Sequence, residues 1–255
     1  MIITDRMWDR YIERLRNVNQ KAAQEVSQYL NTHEWWTNNA TKKAAVEYCY
    51  AIATKYGEAA AAAACDFYDV VADVWAQQFV PPAEPATTAT YGEVATAFYG
   101  TARTGNPDVM AEAIGRLVKM AGVDTTLKNG MRDGAQFAWI PRGDTCAFCI
   151  ALASRGWQKI SKQTLKKGHA EHVHANCDCT YAVRWSADQN VAGYDAELYE
   201  DLYYNSDPGG KPIKKINAMR RYFYQENKDK INAQKRSAYA KRKERESSQA
   251  EEMDV

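Results

Sequence analysis

The sequence predicts an α+β fold, mostly α: an N-terminal domain of long helices, a small cysteine- and histidine-rich α+β module, and a basic C-terminal helix. Three observations lead there. Apolar residues recur at three- and four-residue steps through most of the first 135 positions, the period of one helical face. Four of the six cysteines and three of the four histidines fall between Cys146 and Cys179, among short runs that read as strands. Lys211–Arg245 holds 13 Lys/Arg against 3 Asp/Glu, a net +10 in a chain whose formal total is +1. The expected divisions are 1–135 for the helical domain, 136–186 for the module, 187–210 for an acidic, tyrosine-rich helix and hinge, and 211–255 for the basic arm.

Taken in order, Trp8, Ile12, Leu15, Val18, Ala22, Val26 and Leu30 form one face of a helix that Asn31-Thr32-His33 ends. His33 reads as a surface loop residue, and the pair Trp35-Trp36 as core rather than a docking patch. Thr41 to Phe79 reads as one helix of about 57 Å, or two joined at Gly57. Cys49 and Cys65 lie on or beside its apolar stripe and read as core, since an isolated thiol behaves as a small hydrophobe. The alanines from 59 to 64 suit either close approach of a neighbouring helix or simple helix propensity. Pro81-Pro82 and Pro85 then break the pattern.

Two shorter helices are expected at Glu93–Ala102 and Pro107–Ala121, the second with Asn106 as N-cap and Pro107 at its first position. A third should run from Asp124 to Ala135, interrupted or ended near Gly130. Strands are expected at Phe137–Ile140, Trp157–Ile160 and Thr180–Trp185, with a helix at Ile150–Ser154 stopping at Gly156. Beyond them, Val191–Tyr204 reads as an acidic helix packed on its own chain in preference to a partner, and Ser206 to Pro212 as a turn or hinge.

The chemistry concentrates in the module. Cys146 and Cys149 form a C-x-x-C whose two thiolates a single helical turn brings to one side, at a separation suited to one tetrahedral ion. Cys177 and Cys179 share a face if the chain there is extended. His174 stands three residues before them, with His169 and His172 further back. Thiolates with imidazole select zinc ahead of an iron-sulfur cluster, so Cys146, Cys149, His174, Cys177 and Cys179 are five candidates for four positions around a structural Zn. Reduced cysteines without metal, disulfides and a catalytic Cys-His pair are the competing readings. A cytosolic chain disfavours disulfides, and zinc on the same sulfurs would block a nucleophile.

These residues carry a resemblance. Asp144, Cys146 and Cys149, spaced D-x-C-x-x-C, resemble a D-x-x-C-x-x-C segment with the Asp one position closer, and His174, Cys177 and Cys179 match an H-x-x-C-x-C segment, of the Mu F-like minor head proteins of tailed bacteriophages. Val173 and Ala175 stand where that family often has prolines. The phrase TCAFCIALASRGW is similar to the branch encoded beside portal genes. The resemblance implies a non-enzymatic minor capsid protein acting in head morphogenesis. It would sit in several copies at the portal vertex inside the virion, after assembly in the host cytoplasm, with the portal protein and other head proteins as partners.

Composition excludes several classes. No uncharged run exceeds ten residues, so no membrane span is expected, and acidic residues stand where a signal peptide would have its apolar core. There is no P-loop, G-x-G-x-x-G, G-x-S-x-G or H-E-x-x-H. Two alternatives remain: a capsid maturation protease using a Cys-His pair, and a zinc-stabilised nucleic-acid-binding module. The basic arm suits salt-sensitive, sequence-independent contact with DNA, through Lys214, Lys215, Arg220, Arg221, Lys235, Arg236, Lys241, Arg242 and Lys243.

Overall fold

The computed structural model describes residues 4–142, 146–161 and 179–205, and in the arm residues 216–219, 221, 228–229, 232 and 236. Its element order is α1 (Asp5–Thr32), α2 (Asn39–Trp75), α3 (Tyr91–Ala102), α4 (Pro107–Arg132), β1 (Gln136–Ile140), α5 (Ala147–Ala153), β2 (Gln158–Lys159), β3 (Thr180–Arg184) and α6 (Ala196–Asn205). The mostly helical α+β class read from the sequence is the class observed.

Caps explain where the helices start. Thr4 accepts the Met7 N–H for α1, while Asn38 with Thr41, and Thr90 with Glu93, form reciprocal capping boxes for α2 and α3. Asn106 caps α4 with Pro107 behind it, as expected. The helix predicted across Gly57 is continuous, 37 residues or about 55 Å. Gly57 serves contact rather than a break: a Cβ there would lie 2.9 Å from the Thr88 methyl. The two helices expected between Pro107 and Ala135 are one helix, ending at Arg132. Helical propensity had argued for an interruption near Gly130, yet that glycine lies under the sheet, where a Cβ would come within 2.5 Å of Ile160 Cδ1.

Directions follow from side-chain pairs. Arg14 meets Asp66 and Glu25 meets Lys55, so α1 and α2 are antiparallel. Ser27 donates to Asp108 at one end of α1, and Leu15 meets Gly122 nearer the other, so α4 is antiparallel to α1 and runs beside α2. The alanine run lets α2 and α4 approach closely, for a Cβ on Gly122 would stand 3.2 Å from the Ala60 carbonyl oxygen.

The fourth column of the bundle is half helix and half extended strap. Residues 76–90 climb between α2 and α4, and α3 continues their course. Prolines 81, 82 and 85 supply no N–H, so the strap draws its hydrogen bonds from side chains of its neighbours. Asp69 accepts from Ala83 N at 2.7 Å and Thr125 from Ala86 N at 2.9 Å. Arg132 donates to the Pro81 and Pro82 carbonyls, and Lys128 to that of Pro85. Asn129, 1% exposed, both accepts the Glu84 N–H at 2.9 Å and donates to the Glu84 carbonyl at 2.8 Å, as a neighbouring strand would.

The sheet is antiparallel in the order β2-β1-β3, with Phe137 opposite both Gln158 and Val183 and Trp139 opposite Tyr181. Gly134, at φ +69, turns the chain from α4 into β1. One hydrophobic core runs without interruption from Trp8 in α1 through Ala60 and Val118 to Trp139, Cys149, Tyr181 and Tyr194.

Other expectations divide. Trp35 is core, packed edge-on against Phe98, but Trp36 is 69% exposed. Cys49 is buried, and burial pushes its thiol up to about 12. Cys65 is only half-buried and lines an open groove of about 640 Å³ between α2 and the strap. The acidic helix begins at Ala196 rather than Val191, because Val191 and Tyr194 form a buried turn ahead of it. It does pack on its own chain, as read from the sequence.

Candidate metal centre

Cys146 is the N-cap of α5, with extended backbone, and Cys149 lies in the first turn. That spacing brings the two sulfurs to 3.6 Å. Two thiolates on one tetrahedral zinc, each about 2.3 Å from the ion, stand about 3.8 Å apart. The pair therefore fits two corners of such an ion with almost no movement. Cys149 is 1% exposed and Cys146 half-buried, so the inner sulfur is shielded while the outer one faces a rim.

Cys179 is the residue before β3 and is fully buried. Its Sγ accepts the backbone N–H of Arg142 at 3.4 Å, the kind of contact that supports negative charge on a sulfur. Arg142 is itself held by the Ala192 carbonyl, 3.3 Å from its guanidinium, and by Asp5 and Asp9 at 3.9 Å each. The segment after β1 is thereby pinned to the start of α1 and to the turn before α6. The sequence offered no signal for Arg142, since its partners are distant along the chain.

His174 and Cys177 lie outside the described residues, as do Asp144, His169 and His172. Among the described residues no three His, Cys, Asp or Glu side chains gather around one point. Among the described residues, Cys146 and Cys149 thus supply one pair of donors.

Hydrogen bonds and ring contacts tie together the elements around α5. The Tyr194 hydroxyl donates to the Ala153 carbonyl at 2.8 Å and closes the end of α5, while burial pushes its phenol up to about 12. Gly156, at φ +62, then turns the chain toward β2. Asn190 accepts from the Trp157 indole and donates to the Tyr194 carbonyl. The Arg184 guanidinium lies 4.6 Å over the Trp157 ring. Tyr199 of α6 is close enough to Cys179 and Arg142 to feel both charges, with burial the main cause of its raised phenol.

Of the predicted nucleic-acid contacts, Arg221 and Arg236 are described: both are helical and exposed. Lys214, Lys215, Arg220, Lys235, Lys241, Arg242 and Lys243 lie outside the described residues.

A family model for VG15 protein matches residues 2–206. The chain belongs to the VG15 protein family. The match takes in the VG15 helical bundle, the sheet, the cysteine module and α6 together, and stops ahead of the basic arm. No curated protein and no solved structure matches this VG15 family chain.

Proposed function

We propose that this protein is a non-enzymatic minor capsid protein of a tailed bacteriophage. It works at the portal vertex inside the head, in several copies, and assists assembly and DNA packaging or delivery. The observation that carries the reading is the Cys146–Cys149 pair at 3.6 Å. It stands on the segment whose D-x-C-x-x-C and H-x-x-C-x-C spacings resemble those of the Mu F-like minor head proteins. In this reading a zinc ion bound by those two sulfurs, completed from His174, Cys177 and Cys179, fastens the loops of the module to the sheet. The ion would supply folding energy and no reaction step. The bundle, about 55 Å long, offers docking surface to the portal and other head proteins, and the arm offers cations to packaged DNA.

Three measurements test it. Deleting the gene from a phage that carries it, beside its portal gene, should yield heads that are empty or aberrant. Mass spectrometry of complete heads should find the chain. Filled, infectious heads lacking the protein would refute the assignment. Metal analysis of untagged protein purified without chelator should find about one zinc per chain; less than about half an equivalent would remove the ion while leaving the capsid role to the genetic test.

A further inference from the structure

The root of the basic arm is already seated. Met219 is 1% exposed and is enclosed by Ala147 and Ile150 of α5 and by Tyr199 and Tyr203 of α6. Ile216, three residues earlier and so on the same helical face, is half-buried, while Asn217 and Arg221 point outward. Every described position of the arm, from Ile216 to Arg236, is helical.

The seam is apolar on one side and acidic on the other. In α6, Ala196, Tyr199 and Tyr203 face inward, whereas Glu197, Glu200 and Asp201 are exposed. Leu198 and Leu202 on the same helix are 53% and 39% exposed. These carboxylates lie on the helix whose inner face seats Met219, and the exposed Arg221 follows that residue by two positions in a segment of net +10. Opposite charges so placed attract through solvent over about a Debye length, roughly 8 Å at physiological salt.

We infer that the seam between α5 and α6 is a docking site for the root of this chain's own basic arm, Ile216–Met219, and that docking there holds the arm's cations beside the carboxylates of α6 and lowers its attraction for polyanions. The second half rests on reading the arm as a polyanion-binding segment; the first does not. Because Ala147 and Ile150 alternate with Cys146 and Cys149 on the same short helix, the seat is built on the helix that carries the thiol pair.

The test uses the full chain and two readouts. In Met219→Asp, or in the milder Met219→Ser, tryptic cleavage between residues 211 and 245 should quicken about tenfold with the far-UV signal of the bundle retained. The same variants should elute from heparin, a sulfated polyanion, at higher salt than the wild type. Unchanged cleavage would overturn the docking. A second variant leaves the seam intact: Glu197→Gln, Glu200→Gln and Asp201→Asn together should raise the elution salt without quickening cleavage. Its control, Glu13→Gln, Glu47→Gln and Glu58→Gln on the bundle surface, changes net charge equally. Equal shifts from the two triple variants would overturn the screening. A wild-type chain that heparin does not retain would overturn the polyanion half, and cleavage would still decide the docking.

Discussion

Replacing Asn129 by Ala should cost more stability than any surface substitution in this protein. The side chain is buried and makes three hydrogen bonds: from Glu84 N at 2.9 Å, to the Glu84 carbonyl at 2.8 Å and to the Thr125 carbonyl at 2.8 Å. Alanine removes all three and leaves the N–H and C=O of Glu84 facing a gap. A buried backbone group without a partner costs about 1–3 kcal/mol. The Thr125 carbonyl loses less, since it lies within a helix. Partial rehydration of the strap offsets some of the loss, so the expected cost is about 2–4 kcal/mol. Urea unfolding followed by tryptophan fluorescence should show a lower midpoint with little change in slope. Lys128→Ala removes an exposed pair with Glu84 on the same strap and should cost under about 1 kcal/mol. A midpoint for Asn129→Ala no lower than that of Lys128→Ala would show that the strap is not held by this amide.

Further predictions concern packing, protonation and the site wall. Gly122→Leu places a branched side chain where a Cβ already meets the Ala60 carbonyl at 3.2 Å; it should cost about 3 kcal/mol or more and show as a lower Tm. Burial, with a smaller contribution from Glu93, pushes the Asp124 carboxyl from 3.8 up to about 6. The folded state therefore holds its proton more tightly than the unfolded chain. This contribution to stability is complete below about pH 4 and is lost as pH rises through about 6. Asp124→Asn should thus stabilise by about 1–2 kcal/mol at pH 7.5 and leave the protein unchanged at pH 4. A stability difference independent of pH would refute the assignment. Tyr194→Phe removes the hydroxyl that closes α5 at Ala153 and should cost about 1 kcal/mol in chemical unfolding.

Much of the fold was legible because the signals that encode it are local. The α1 stripe from Trp8 to Leu30, the Asn106 cap with Pro107, the stop at Gly156 and the three short strands each depend on residues near one another in sequence. Glycines at 57 and 130 read as possible breaks in a helix, because propensity counts only backbone freedom. In the bundle they are points of close approach, where α2, α4, the strap and the sheet touch. Trp36 was read with Trp35 as core, but a turn between helices sends neighbouring side chains opposite ways.

The candidate site was legible to the same depth. Cys146 and Cys149 meet because three residues make almost one turn, a relation that spacing alone encodes. The Arg142 N–H on Cys179, the Tyr194 hydroxyl on Ala153 and the seat of Met219 join residues 37, 41 and about 70 positions apart. Nothing in their spacing marks them.

By itself, then, the sequence determined the helical periods, the caps, the grouping of the cysteines and the charge of the arm, since each is a property of a short window. Tertiary structure alone decided that a proline-rich strap completes the bundle, that one core joins the bundle to the cysteine module, and that the arm begins on the helix of the thiols. These outcomes depend on which distant surfaces exclude water from one another, and that is a property of the folded chain as a whole.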